Sequence, residues 1–341
     1  MNIENRYRRM RFSPVLLSVV LLLCGCGNEL AAPGADEYGN ELVPVQVSAV
    51  ALSADVDASD ASDTPQTRAT STINTDGARM GVFRVADATK GYTAASNVEY
   101  TYSTSTSTWS NASSPILVGG LAARLCAYYP YGAATFSGTT ATLTAQKYVA
   151  AKDLCYASNT TAEVTNKAPS ASFSMKHAYS RVTLSIGRNA TYSAAMGSCK
   201  ISQVGFKPVS GSLSAVTSLD ISKVTAPTTT ASSGLLYNTV ASDDINAGIS
   251  VGGSKSIDLL LPPTTVSAVM LLSVTVDGEA RAVSIPAATL GTLVAGKQYA
   301  IQVKIVGLAT LQLQAVTQID YDWGTIPTTP DGSFDDVKPQ Q

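Results

Sequence analysis

One histidine in 341 residues, two tryptophans and a charged fraction of 14% set the first limits on this chain. A single imidazole removes most metal ligand sets and acid–base relays, so ordinary enzyme chemistry lacks its parts. No Lys/Arg run crosses the body of the chain to neutralise a phosphate backbone, and nucleic acid is excluded as a partner. Cysteine is sparse at five, without Cys-x-x-Cys spacing for zinc or redox work. The acidic pairs Asp243-Asp244 and Asp335-Asp336 lack the oxygen spacing of a calcium loop. No cofactor is expected, and the protein is not read as an enzyme. His177, in Met175-Lys176-His177-Ala178-Tyr179, has no nucleophile motif near it and is expected to be a packed structural histidine.

What is present begins with an export signal. Arg6, Arg8, Arg9 and Arg11 precede Pro14 to Leu23, an apolar run of signal-peptide length and too short to span a bilayer. It ends in Leu23-Cys24-Gly25-Cys26, which resembles a bacterial lipobox and makes Cys26 the lipidation candidate; a soluble secreted protein cut nearby is the other reading. Acyl chains contribute about 0.8 kcal/mol per buried methylene, so a multiply acylated Cys26 would hold the chain to a membrane. Residues 1–25 are therefore expected to be a lipoprotein signal peptide.

Residues 26–68 differ from the rest. Eight acidic residues stand between Gly27 and Thr67, and Arg68 is the first basic residue after them. Gly27 to Gly39 reads as a tether. Val43, Val45, Val47, Ala49 and Ala51 then share one parity, a strand signal with Pro44 at its start or on an edge. Asp55 to Thr67 is acidic and turn-rich, an exposed linker ending at Arg68, where an Arg-specific protease would cut before Ala69. An ordinary linker arginine that is never cut is the alternative.

From Ala69 onward no helical periodicity persists, while β-branched and aromatic residues recur in short runs broken by Gly, Pro, Ser and Asn. The fold class is all-β, and the irregular loops favour sandwiches over a closed barrel. One strand is expected over Phe173–Ile186 and another over Thr310–Ile319. Asp277-Gly278 predicts a tight hairpin. Thr225 to Gly234 reads as loop. The two sandwiches are placed at 69–187 and 188–341, the second including a Pro- and Asp-rich tail. In an exported chain Cys126 and Cys155 could form a disulfide, or Cys126, Cys155 and Cys199 could be three buried thiols. Tyr128, Tyr129 and Tyr131 could stack on a sugar, though core and corner packing is the commoner use of such a cluster.

Several segments together resemble the fimbrillin (Mfa-like) family of lipoprotein-precursor pilins. They are Met80-Gly81-Val82-Phe83, Asn97 to Tyr102 followed by Trp109, Ala127-Tyr128-Tyr129-Pro130-Tyr131, and Lys152-Asp153-Leu154 before Tyr156-Ala157. Phe173 to Val182, Leu260-Leu261-Pro262-Pro263 and Val294 to Tyr299 follow in order. The resemblance implies two transthyretin-like β-sandwich domains in tandem and a precursor lipidated at the cell outer membrane. It further implies removal of the first strand by an Arg-specific protease, and assembly into a fimbrium by strand exchange with other fimbrial subunits, contributing to adhesion. The expected partners are those subunits, the outer membrane through the lipid anchor, the protease, and a host glycan or protein. The alternative function is a surface lipoprotein that stays anchored and binds a host ligand without polymerising.

Overall fold

The computed structural model describes residues 41–52, 71–160, 162–208, 213–223, 228–232, 237–240, 247–265, 269–308 and 310–319. The signal peptide, Cys26, the linker Asp55–Thr67, Arg68, Ala69, Asp243, Asp244 and the tail with Asp335 and Asp336 lie outside them.

Helix among the described residues is short, as in the turns at Ala88–Lys90, Ala150–Lys152 and Ala287–Leu290. The rest of the regular structure is strand, as the composition predicts. In chain order the first unit contains β1 (Val43–Pro44), β2 (Gln46–Leu52), β3 (Ser71–Thr72), β4 (Arg79–Arg84), β5 (Ala95–Ser103), β6 (Thr108–Ser110), β7 (Leu117–Val118) and β8 (Leu125–Tyr129). The pieces β9 (Phe136–Ser137), β10 (Thr140–Thr142) and β11 (Gln146–Lys147) follow, then β12 (Cys155–Ala157) and β13 (Ser170–His177). Its main sheet runs β13-β12-β8-β4-β5-β6-β2-β3, and β2 also pairs β13. The β2–β13 pairing closes this one sheet into a ring, and among the described strands only β2 completes it.

The second unit contains β14 (Ser180–Arg188), β15 (Ile201–Pro208), β16 (Leu213–Asp220), β17 (Thr228–Ser232), β18 (Tyr237–Val240), β19 (Ser254–Leu261) and β20 (Thr264–Thr265). It continues with β21 (Met270–Val276), β22 (Glu279–Ile285), β23 (Thr292–Leu293), β24 (Gln298–Val306) and β25 (Thr310–Ile319). A five-stranded sheet, β11-β19-β14-β24-β25, supplies one face of a large core and the four-stranded β18-β15-β21-β22 supplies the other. Burial alternates along β21 and β24, so every second side chain enters that core. The hairpin between β21 and β22 turns at Asp277 and Gly278 with φ of 48° and 89°, both in the left-handed region that a two-residue turn of this kind requires.

Three sequence expectations are corrected. The strand over Phe173–Ile186 is two strands, because the chain leaves the first sheet at His177 and enters the second at Ser180. The boundary at 187/188 therefore cuts through β14, the middle strand of the second unit's larger sheet; the crossing lies at Ala178–Tyr179. Within Thr225–Gly234, expected as loop, Thr228–Ser232 forms β17 against β16: β-branched threonines suit a strand even where apolar alternation is missing.

The two units are not beads on a string. β10 of the first half pairs β16 of the second, and β11 pairs β19. A separate apolar cluster containing Phe83, Cys126, Tyr128, Tyr156, Tyr179, Leu219 and Leu260 fills the seam.

Candidate functional site

The strand β2 sits between β13, to which it is parallel, and β6, which it meets where Val47 faces Trp109. Val45 is 2% exposed, and Val47 and Val50 are fully buried, in one core with Tyr100, Trp109, Ala171, Phe173 and Met175. The spacing is not a plain alternation. A register shift between Ala171 and Ser172 leaves Ser48 opposite no partner, so burial moves from Val45 and Val47 to Val50. Ser48 turns its hydroxyl to the Ala171 carbonyl at 3.2 Å and lies 3.1 Å from the Ser172 hydroxyl.

Main-chain contacts fix β2 from both sides. Val45 N–H donates to the Ile116 carbonyl at 2.8 Å, Gln46 N–H to the Pro169 carbonyl at 3.0 Å, and Ile73 N–H to the Val50 carbonyl at 3.0 Å. Without β2, the edges of β13 and of the Ile116 segment would present unpaired backbone above exposed apolar side chains, the template on which another strand adds.

The apolar offsets of β2 recur once at the other end of the chain. In β25 Leu311 is 4% exposed, and Leu313 and Val316 pack against the second core. These three stand at the spacing of Val45, Val47 and Val50. A register shift against β24 leaves Gln314 unpaired, the position equivalent to Ser48. β25 is also an edge strand, paired only to β24.

Of the two readings of the cysteines, the structure has the buried thiols: Cys126 and Cys155 are free and buried, as is Cys199. Cys155 is directly across from Tyr129, so Cys126 and Cys155 have opposite parity on paired strands. Cys126 faces the seam cluster and Cys155 the first core, on opposite sides of one sheet, where no bridge can reach. Burial pushes the Cys126 thiol up to about 12 and the Cys199 thiol to about 11.

His177 is the side chain whose neighbours sequence spacing concealed. Its Nδ1 lies 2.9 Å from Asp153 Oδ1 and 3.3 Å from Cys155 Sγ. Among the described residues these are the one group of three metal-type donors within 4.8 Å of one another. Asp153 and Cys155 meet the same ring nitrogen, whereas a nucleophile–histidine–acid relay uses both nitrogens. Burial raises the Cys155 thiol well above its ordinary range, which keeps it protonated and unsuited to nucleophilic attack. The cross-strand pairing of Cys155 with His177 is invisible without the register of β12 and β13.

The tyrosine cluster is internal as well. Tyr128 is fully buried, its hydroxyl donating to Asn97 Oδ1 at 2.8 Å, and Tyr131 stacks on it with ring centroids 6.2 Å apart. A Cβ on Gly81 would fall 2.1 Å from the Tyr128 ring, so the glycine of the Met80–Phe83 segment makes room for the tyrosine. An open cleft of about 450 Å³ lies beside this seam, lined by Phe136, Thr142, Gln146, Lys152 and Tyr179 among others.

The described residues form two interlocked β-units, with β2 inserted into the first. The sequence profile of the fimbrillin-like family matches residues 67–320, and the chain belongs to that family, one of fimbrial structural proteins and not normally enzymatic. Solved structures similar to it include a proposed cell adhesion protein from Bacteroides uniformis, at 17% identity over 80% of this chain and 97% of that one, with a TM-score of 0.49. A fimbrial protein from Bacteroides vulgatus matches at 11% identity over 80% and 98%, with a TM-score of 0.41. The fimbrial anchor protein Mfa2 from Porphyromonas gingivalis matches at 11% identity over 82% and 98%, with a TM-score of 0.38. No curated protein matches the sequence.

Proposed function

We infer that this protein is a structural subunit of surface fimbriae, made as a precursor lipidated at Cys26 on the outer membrane. An Arg-specific protease cuts between Arg68 and Ala69, β1 and β2 leave with the released segment, and a strand of a neighbouring subunit takes their place. The observation that carries this reading is β2 itself: a single strand, encoded before the linker, that completes the ring and, with Val45 just before it, buries three valines in the core. The matching offsets of Leu311, Leu313 and Val316 support β25 of a second copy as a strand able to fill the groove.

The test is the mature terminus of protein taken from its native surface, compared with an Arg68→Ala variant. Wild-type subunits should begin at Ala69 and be found in polymers, while the variant should keep an acylated Cys26 and remain monomeric. Normal polymers from Arg68→Ala would overturn the mechanism. Acylated Cys26 as the sole terminus of wild-type protein would point instead to a resident surface lipoprotein.

A further inference from the structure

We propose that Asp153, Cys155 and His177 form a binding site for a single zinc-type divalent ion, just before the chain passes from the first unit to the second. Asp153 Oδ1 stands 2.9 Å from His177 Nδ1, Cys155 Sγ stands 3.3 Å from the same nitrogen, and all three donor atoms lie within 4.8 Å of one another. Around a tetrahedral zinc the usual bond lengths put nitrogen and oxygen about 3.3 Å apart, and nitrogen and sulfur about 3.5 Å apart. The three side chains need to open only slightly to admit the ion.

The backbone presents these donors ready-made. Cys155 on β12 is directly opposite His177 on β13. Asp153 closes the helical turn Ala150–Lys152, its N–H donating to the Ala150 carbonyl at 3.3 Å. Ala178 N–H donates to the Leu154 carbonyl at 2.7 Å, which ties the two flanks together beside the cluster. The His177 and Asp153 side chains are 6% and 12% exposed, enough for entry from one side and too little for water to separate them.

Hydrogen bonding alone over-commits one nitrogen here. Nδ1 of a neutral imidazole either donates or accepts. The Asp153 carboxylate needs a donor, whereas the Cys155 thiol needs an acceptor, and the thiol's other acceptor is the Asp153 carbonyl at a long 3.7 Å. A metal ion takes a lone pair from each. With the ring neutral, Nδ1 binds the ion and the ring proton sits on Nε2, while the thiol proton leaves to solvent and the carboxylate binds as it stands. Carboxylate and thiolate then set two negative charges against the two positive charges of the ion, so the buried site is neutral. Thiolate and imidazole select zinc over calcium or magnesium, which take oxygen ligands. Three protein donors leave one tetrahedral position for water. Bound there, the ion ties β12 to β13, and none of its ligands lies on β2 or the linker, so the site does not depend on strand exchange.

The test uses the full chain carrying Cys24→Ser and Cys26→Ser, which removes the two amino-terminal thiols. Cobalt(II) is the probe, because a thiolate ligand gives it a near-ultraviolet charge-transfer band. One equivalent should produce that band together with the visible bands of tetrahedral cobalt, and zinc should displace it. Cys155→Ser should abolish the charge-transfer band. His177→Ala and Asp153→Asn should each weaken zinc binding by about a hundredfold or more, since even outer-shell partners are worth about ten- to a hundredfold. Cys199→Ala, at a buried thiol of the second core, should leave the band intact. Zinc should also raise the thermal midpoint of the parent chain and not that of Cys155→Ser. No thiolate band in the folded parent chain would overturn the proposal without recourse to any variant. A band that survives Cys155→Ser, or one lost with Cys199→Ala, would overturn it as well. All of this is read in uncut protein, separately from the fate of Arg68→Ala.

Discussion

Replacing Val47 by alanine measures how firmly the inserted strand is built into the first core. Val47 is fully buried between the strand neighbours Ala171 and Trp109, and it has no polar atom whose loss would blur the result. Removing two methyl groups at about 0.8 kcal/mol each gives about 1.6 kcal/mol, and the cavity left among close-packed neighbours brings the cost to about 2–3 kcal/mol. For a chain of this size each kcal/mol moves the thermal midpoint by about 2–4 °C, so a drop of about 4–12 °C is expected in the uncut protein. The control is Val251→Ala, at a side chain that is 48% exposed, where the change should stay within about 0.5 kcal/mol. Circular dichroism or calorimetry of the purified full-length protein reads both. A Val47→Ala midpoint indistinguishable from that of the control would refute the idea that β2 is an integral core strand, and the groove argument with it. The inference reaches further, because three valines each worth about 1.5–3 kcal/mol are a large part of the about 5–15 kcal/mol that holds a domain folded. If cleavage removed β2, as proposed, the remaining subunit would lack this stabilisation until another strand filled the groove.

Two further outcomes follow from the geometry. In folded protein Cys126, Cys155 and Cys199 should resist alkylation, and after unfolding without reductant all three should react; a Cys126–Cys155 disulfide found by mass spectrometry would contradict the opposite-face assignment. Asp220 gives a pH signature: burial opposes its charge, but hydrogen bonds from Thr139 and Ser222 and the nearby Lys223 outweigh this and lower its ionisation to about 2. Because the folded value lies below the unfolded one, its stabilisation is present above about pH 4 and lost as pH falls toward 2. Asp220→Asn should therefore destabilise at neutral pH, by about 1 kcal/mol for this largely solvent-screened carboxylate, and the gap from wild type should close across that window. A gap independent of pH between 5 and 2 would show that the carboxylate charge is not what the loop uses.

The parts of the fold that were legible are those carried by local rules. The parity of Val43 to Ala51 announces a strand, Asp277-Gly278 announces a turn, and Thr310–Ile319 carries its strand in its own alternation. What escaped depends on pairing across distance. Nothing in Ser174 to Arg181 marks the change of sheet at Ala178–Tyr179, because both flanks alternate equally well. The choice between a disulfide and buried thiols was not legible either, because proximity in sequence says nothing about which face of a sheet each thiol occupies. The Asp153–His177 contact and the hydrogen bond from the Tyr100 hydroxyl to the Val45 carbonyl likewise join residues 24 and 55 positions apart. The shift from a spacing of two to a spacing of three after Val47 could have been seen in the sequence, where Val50 already breaks the parity of the valines before it.

The way β2 is seated has a mechanical consequence. It is bonded along both of its edges, to β13 on one side and to the Ile116 and Trp109 segments on the other. A force along the strand axis loads these bonds in shear, so they must yield together. A force across the sheet opens them in sequence, as a zipper does. The paired pieces β10 with β16 and β11 with β19 then couple the first unit to the second, so tension entering at the groove is carried through the whole body without a slack hinge. If subunits are joined through this groove, as proposed, the joint would resist a pull along the strand axis better than a pull across the sheet.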